Sequence, residues 1–124
     1  MNSKICTSIE QSKKLAEILP NESADHFHII GHLHTDGPRY EVIRSRNEVV
    51  ETDKYWPCWS LVALLNVLPD ELGDNHFLTL QKEKNEYCCC YEDINGNSFR
   101  HTFADNPVDA CVAMIENLHE LKML

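Results

Sequence analysis

The stretch EYCCCYEDINGNSFRHTF, residues 86–103, leaves the chain least freedom. Asn95-Gly96 separates two runs rich in aromatic and other strand-forming residues, and both turn residues tolerate the left-handed backbone that a tight hairpin needs. Two antiparallel strands follow, which excludes an all-helical fold. A two-residue turn at Asn95-Gly96 sets Cys90 opposite His101 and Cys88 opposite Phe103, with Phe99 on the same face. That register offers two chemistries. Cys88, Cys90 and His101 form a possible zinc set, and Cys90 with His101 a possible thiolate–imidazolium pair. Phe99 and Phe103 favour a packed interior instead, and no feature supplies oxyanion donors. Cys88, Cys90 and Cys111 are therefore expected to be buried, reduced thiols.

A second run, HFHIIGHLHTD at residues 26–36, alternates with period two. Phe27, Ile29 and Leu33 are expected to face inward, and His26, His28, His32 and His34 to face water. His26 and His34 lie roughly 26 Å apart along a strand, so the four imidazoles cannot share one ion. A loop centred on Asp36-Gly37 sets Leu33 opposite Tyr40, Gly31 opposite Val42 and His32 opposite Glu41. His32, His34 and Glu41 then become a possible three-ligand metal set. A solvated strand face explains the same histidines by alternation alone, and that reading is preferred.

Three segments repeat at helical spacing. TSIEQSKKLAEILP has Thr7 and Glu10 at capping-box distance and an apolar stripe of Ile9, Leu15, Ala16 and Leu19. In WPCWSLVALLNVLP, Trp56-Pro57 breaks the chain and Ser60 is the expected cap. Leu61 to Leu68 is apolar except for Asn66, which predicts a helix buried on all sides. Trp56 and Trp59 are read as anchors to the core. DNPVDACVAMIENLHELKM opens with Asn106 or Asp105 as cap and Pro107 in the first turn, and it repeats Val108, Cys111, Val112, Ile115 and Leu118. YEVIRSR and HFLTLQK add strands, while NEVVETDK and DELGDN read as loops, the former at most a fraying strand end. The expected order is α-β-β-α-β-β-β-α. That makes an α+β fold with three helices on an antiparallel sheet of about five strands, in one domain over residues 1–124.

The chain carries a net charge of −9, which disfavours direct binding to nucleic acid. Residues 86–124 hold seven acids against Arg100 and Lys122, so an acidic DNA mimic enters as an alternative function. The opening MNSKICTSIEQSKK has no apolar leader core, and WSLVALLNVL is about half a bilayer span. A cytoplasmic location without membrane contact is expected, and with it six reduced cysteines. No phosphate-cradling glycine loop, nucleophile elbow, H-E-x-x-H or C-x-x-C occurs. No cofactor and no catalytic role are expected.

CTSIEQSKKLAEIL, WPCWSLVALLNVLP and DNPVDACVAMIENL together resemble a family of small α+β proteins from gut anaerobes, often encoded in prophage-like or other mobile regions. The resemblance covers all three helices and assigns no residue a role. It implies a bacterial accessory protein and not a metabolic enzyme. The expected function is thus a non-enzymatic accessory or protein-interaction module with a protein partner. The alternative from another class is a small zinc protein, enzyme or sensor, using the histidine strand or the Cys/His hairpin.

Overall fold

Local capping and hydrophobic period place most of the elements, and long-range pairing decides how they join. The structure, a computed structural model, describes residues 4–32, 39–46, 54–73 and 75–124. Among these residues are three helices and two antiparallel sheets, of three and four strands, so the class is α+β. The single sheet of about five strands is corrected. Two further strands lie where none is expected, Lys54–Cys58 across the Trp56-Pro57 break and Glu71–Leu72 within the DELGDN loop. The chain divides into two compact units, residues 6–63 and residues 64–124 with the first five.

In the first unit, helix α1 (Ile9–Ile18) starts at Ser8. The Ser8 hydroxyl accepts the Gln11 amide at 3.1 Å, and the Gln11 side chain accepts the Ser8 amide at 2.9 Å. The box is one residue later than Thr7 and Glu10. Thr7 is wholly buried, and its hydroxyl is used elsewhere, against Ser12 Oγ at 2.8 Å and the Trp59 amide at 3.1 Å.

Strand β1 (His26–His32) lies between β2 (Arg39–Ser45) and β3 (Lys54–Cys58). Against β2 it pairs Ile30 with Glu41, Gly31 with Tyr40 and His32 with Arg39. The expected register is therefore off by two residues, and Glu41 is not the partner of His32. Leu33, His34 and the Asp36-Gly37 turn lie outside the described residues. Strand β3 runs straight through Trp56-Pro57, where a break is expected. It is the last strand of its sheet, where a residue without N–H is tolerated. Trp59 is fully buried and its indole N–H donates to Ser23 Oγ at 2.9 Å, as an anchor should. Trp56 is more open and lies under the Lys13 ammonium.

Helix α2 (Leu61–Val67) begins after Ser60, whose hydroxyl accepts the Ala63 amide at 3.3 Å. Leu64 is fully buried but Val62 is 65% exposed, so the helix is not buried on all sides.

In the second unit β4 (Glu71–Leu72), β5 (His76–Glu83), β6 (Glu86–Glu92) and β7 (Ser98–Ala104) form a sheet in sequence order. Helix α3 (Pro107–Glu120) packs on β6 and β7. Asn106 caps it by accepting the Asp109 amide at 2.8 Å. All five residues of the expected stripe are buried, from Val108 to Leu118. Burying each such large side chain contributes roughly 1.5–3 kcal/mol, which is why the local pattern suffices here. The Thr102 hydroxyl, donating to the Ala110 carbonyl at 2.7 Å, ties β7 to the helix.

The β6–β7 hairpin reaches the expected pairing by another route. Gly96 donates its amide to the Asp93 carbonyl and Asp93 donates to the Asn97 carbonyl, which makes a three-residue loop with Gly96 left-handed at φ 81°. That loop shifts the register by one. A bulge between Cys90 and Tyr91, with Arg100 at φ 62°, shifts it back. Cys90 therefore does face His101, and Cys88 faces Phe103. Phe99 does not join them. It is paired with Tyr91, and its ring lies 5.8 Å from that of His76.

Candidate metal centre

Three separate segments of the first unit bring sulfur and imidazole together. The N-terminal segment pairs antiparallel with the residues after β3, through a bridge of Cys6 with Ser60 and a Thr7 amide donated to the Trp59 carbonyl at 3.0 Å. Cys58 lies two positions before Ser60, so strand alternation sets Cys58 diagonally across from Cys6 on one face. Strand β1 pairs His26 with Cys58 and His28 with Trp56, which puts His28 diagonally across from Cys58 as well. Helix α1 packs against β3.

Cys6, His28 and Cys58 each offer one ligand atom, and these atoms lie within 4.8 Å of one another. The two sulfurs are 3.1 Å apart. Exposures are 3%, 6% and 0% for Cys6, His28 and Cys58. Phe27 and Ile29 are buried as expected, but the burial of His28 corrects the expectation of a wet histidine face. The reason is a hydrogen bond invisible to alternation. His28 Nε2 sits 2.6 Å from the Thr7 carbonyl oxygen. A carbonyl only accepts, so Nε2 carries the proton and the ring lone pair is on Nδ1. Metal-bound histidines commonly make this same bond to a backbone carbonyl.

The thiol–thiol hydrogen bond with Cys6, together with burial, pushes the Cys58 thiol well above its ordinary range. Two adjacent buried thiols resist double ionisation unless a cation compensates. A divalent ion with two thiolates and a neutral imidazole has no net charge, which is the arrangement a dry site favours. Thiolate and imidazole together suit zinc and other soft or borderline ions.

A neighbouring constellation has triad residues in the wrong order. Asp25 Oδ1 accepts the Ser60 amide at 2.9 Å and also lies 3.1 Å from His26 Nδ1, while Oδ2 accepts the Ser60 hydroxyl through a short bond. The carboxylate stands between serine and histidine, so the imidazole cannot take the hydroxyl proton. Asp25 instead holds the start of α2.

The residues singled out in the sequence are arranged differently. Cys88 and Cys90 are buried, at 6% and 1% exposure, while His101 is exposed and stacked on Phe103. Phe103 is itself 54% exposed, which corrects the expected packed interior. Among the described residues, the cluster of three close ligand atoms is Cys6, His28 and Cys58, and not Cys88, Cys90 and His101. His32 and Glu41 are placed only by backbone register, and His34 lies outside the described residues. All six cysteines are free thiols. Cys89 and Cys111 form another close pair, whose mutual hydrogen bond, together with burial, pushes the Cys89 thiol up.

Sequence reasoning missed Cys6 and Cys58 because 52 positions separate them and no short spacing motif contains either. No helix among the described residues is long and apolar enough to cross a membrane. Comparison of the chain with protein-family models, curated proteins and solved structures finds no match.

Proposed function

We propose that this chain is a metal-binding accessory protein whose centre takes zinc through Cys6 Sγ, Cys58 Sγ and His28 Nδ1. The observation that carries this reading is the convergence of three buried ligand atoms from three segments within 4.8 Å. The Thr7 carbonyl supports it by fixing the histidine tautomer. Binding is favoured over turnover because none of the three donors is more than 6% exposed, which leaves no opening for a substrate. Joining the N-terminal segment, β1 and β3 through one ion couples metal occupancy to the stability of this unit.

Elemental analysis of reduced, tag-free protein tests the reading. One equivalent of zinc is expected, lost in both Cys58→Ser and His28→Ala and retained in Cys90→Ala and His101→Ala. Retention in the first pair with loss in the second would move the site to the β6–β7 hairpin. Failure of reduced protein to take up zinc at all would remove the proposal.

A further inference from the structure

Cys6 Sγ and Cys58 Sγ are 3.1 Å apart in a thiol–thiol hydrogen bond, a spacing between those of a zinc dithiolate and a disulfide. Tetrahedral zinc with Zn–S bonds of about 2.3 Å holds two sulfurs about 3.7–3.8 Å apart. A disulfide draws them to about 2.05 Å. From the present spacing, a movement of about 0.6–0.7 Å apart reaches the first and about 1 Å together reaches the second. Both are within the range of small side-chain rotations, and each excludes the other, since a sulfur bonded to sulfur is no longer a thiolate donor.

We propose that Cys6 and Cys58 form a reversible dithiol–disulfide couple whose oxidation empties the metal centre. The consequence for metal rests on the zinc reading above, whereas the sulfur–sulfur bond does not.

Cys6 and Cys58 are both enclosed, at 3% and 0% exposure, so a small hydroperoxide reaches the pair only through local opening of the N-terminal segment, and that segment carries Cys6. The Cys6 thiolate attacks one peroxide oxygen, the S–O bond forms, the O–O bond breaks, and the departing hydroxide leaves as water after taking a proton. Cys6 is now a sulfenic acid, oxidised by two electrons. The Cys58 sulfur then attacks the Cys6 sulfur, the S–S bond forms and the S–O bond breaks. Hydroxide again leaves as water with the Cys58 proton. Two thiols and one hydrogen peroxide give one disulfide and two waters. A dithiol reductant reverses the step by exchange.

Two other cysteine pairs in the chain provide internal competition. Cys88 and Cys90 lie on one face of β6, and Cys89 meets Cys111 across the β6–α3 packing. Neighbours such as Cys88 and Cys89 point to opposite faces and are poorly placed to bridge.

The test treats reduced full-length protein, zinc-loaded and metal-free, with hydrogen peroxide under native conditions. Disulfides are mapped after alkylation and digestion, and released zinc is read with a chromophoric chelator. A Cys6–Cys58 link is expected, with one zinc lost per link formed and both changes reversed by dithiothreitol. In Cys58→Ser, dimedone should trap a sulfenic acid on Cys6. Oxidation that links Cys88 to Cys90 or Cys89 to Cys111 while leaving Cys6 and Cys58 as thiols would overturn the inference. So would zinc retained after the Cys6–Cys58 link has formed. Zinc binding without that link defeats the couple and spares the metal reading. The link in a protein that takes up no zinc defeats the metal reading, and the emptying step with it.

Discussion

His28 donates its Nε2 proton to the carbonyl of Thr7, the residue next to Cys6, at 2.6 Å. One bond thereby orients the imidazole and ties it to the segment that carries the first sulfur. The ring is buried because the N-terminal segment closes over it by pairing with residues after β3. Burial and tautomer have the same origin, so a change that frees the N-terminal segment should disturb both.

Zinc binding should release protons. Two thiols must become thiolates, and Cys58 is shifted well above its ordinary range, so it is protonated at neutral pH in the metal-free protein. Calorimetry at about pH 7.5 in buffers of different ionisation enthalpy should report at least the Cys58 proton released per zinc. Affinity should rise with pH over the same range. Release near zero would mean that the thiols are not ligands. A long-range proton–nitrogen spectrum of the metal-free protein should show His28 in the Nε2–H form.

The acidic residue beside the centre should matter for stability. Burial raises the carboxyl of Asp25, but hydrogen bonds from the Ser60 hydroxyl and amide, with His26, outweigh it and hold the group below its ordinary 3.8. A carboxylate with a lowered value contributes stability above the unfolded value and loses it as pH falls through the folded one. Asp25→Asn should cost about 1–2 kcal/mol near neutral pH, the low end reflecting partial exposure of the carboxylate. Urea unfolding of both proteins should show that gap closing below about pH 4. A gap that persists unchanged into acid would mean that the side chain acts by shape and not by charge.

The contrast between α3 and the metal centre shows which parts of the molecule the sequence could reveal. For α3 every determinant is local: Asn106 caps, Pro107 fits the first turn, and the stripe from Val108 to Leu118 repeats within fourteen residues. The start of α1 moved by one because the Thr7 hydroxyl is engaged by the distant Trp59 amide, which no local pattern contains. At the β6–β7 hairpin the Cys90–His101 pairing was legible only because the longer loop and the bulge cancel. The metal centre depends on a bridge between Cys6 and Ser60, and alternation in β1 cannot report a partner that arrives from the N-terminus.

Alkali should weaken the second unit through its buried thiols. Burial, then the neighbouring Cys88 thiol, pushes Cys90 from 9.0 up to about 12. A group with a raised folded value contributes stability that is intact below its unfolded value and is lost as pH rises toward the folded one. The urea midpoint should therefore fall as pH rises from about 9 toward about 12. Cys90→Ala should reduce that fall without abolishing it, because Cys89 and Tyr91 are raised as well. A variant with the same pH dependence as wild type would show that Cys90 ionises freely in the folded protein.

The hairpin loop offers a test of backbone conformation separate from any chemistry. Gly96 has φ 81°, a region that costs an L-residue roughly 1–2 kcal/mol. A Cβ placed there meets no atom within 4 Å, so the penalty is conformational and includes no clash. Gly96→Ala should lose about 1 kcal/mol in urea unfolding, partly offset because alanine also restricts the unfolded chain. Gly96→Asn should lose less, since asparagine tolerates this region better than alanine. Asp93 accepts the amides of Asn95 and Asn97 at 2.9 Å each and holds the loop in shape, so the backbone has little freedom to relax around a new side chain. Equal stability of the alanine and wild-type proteins would rule out the left-handed Gly96 loop.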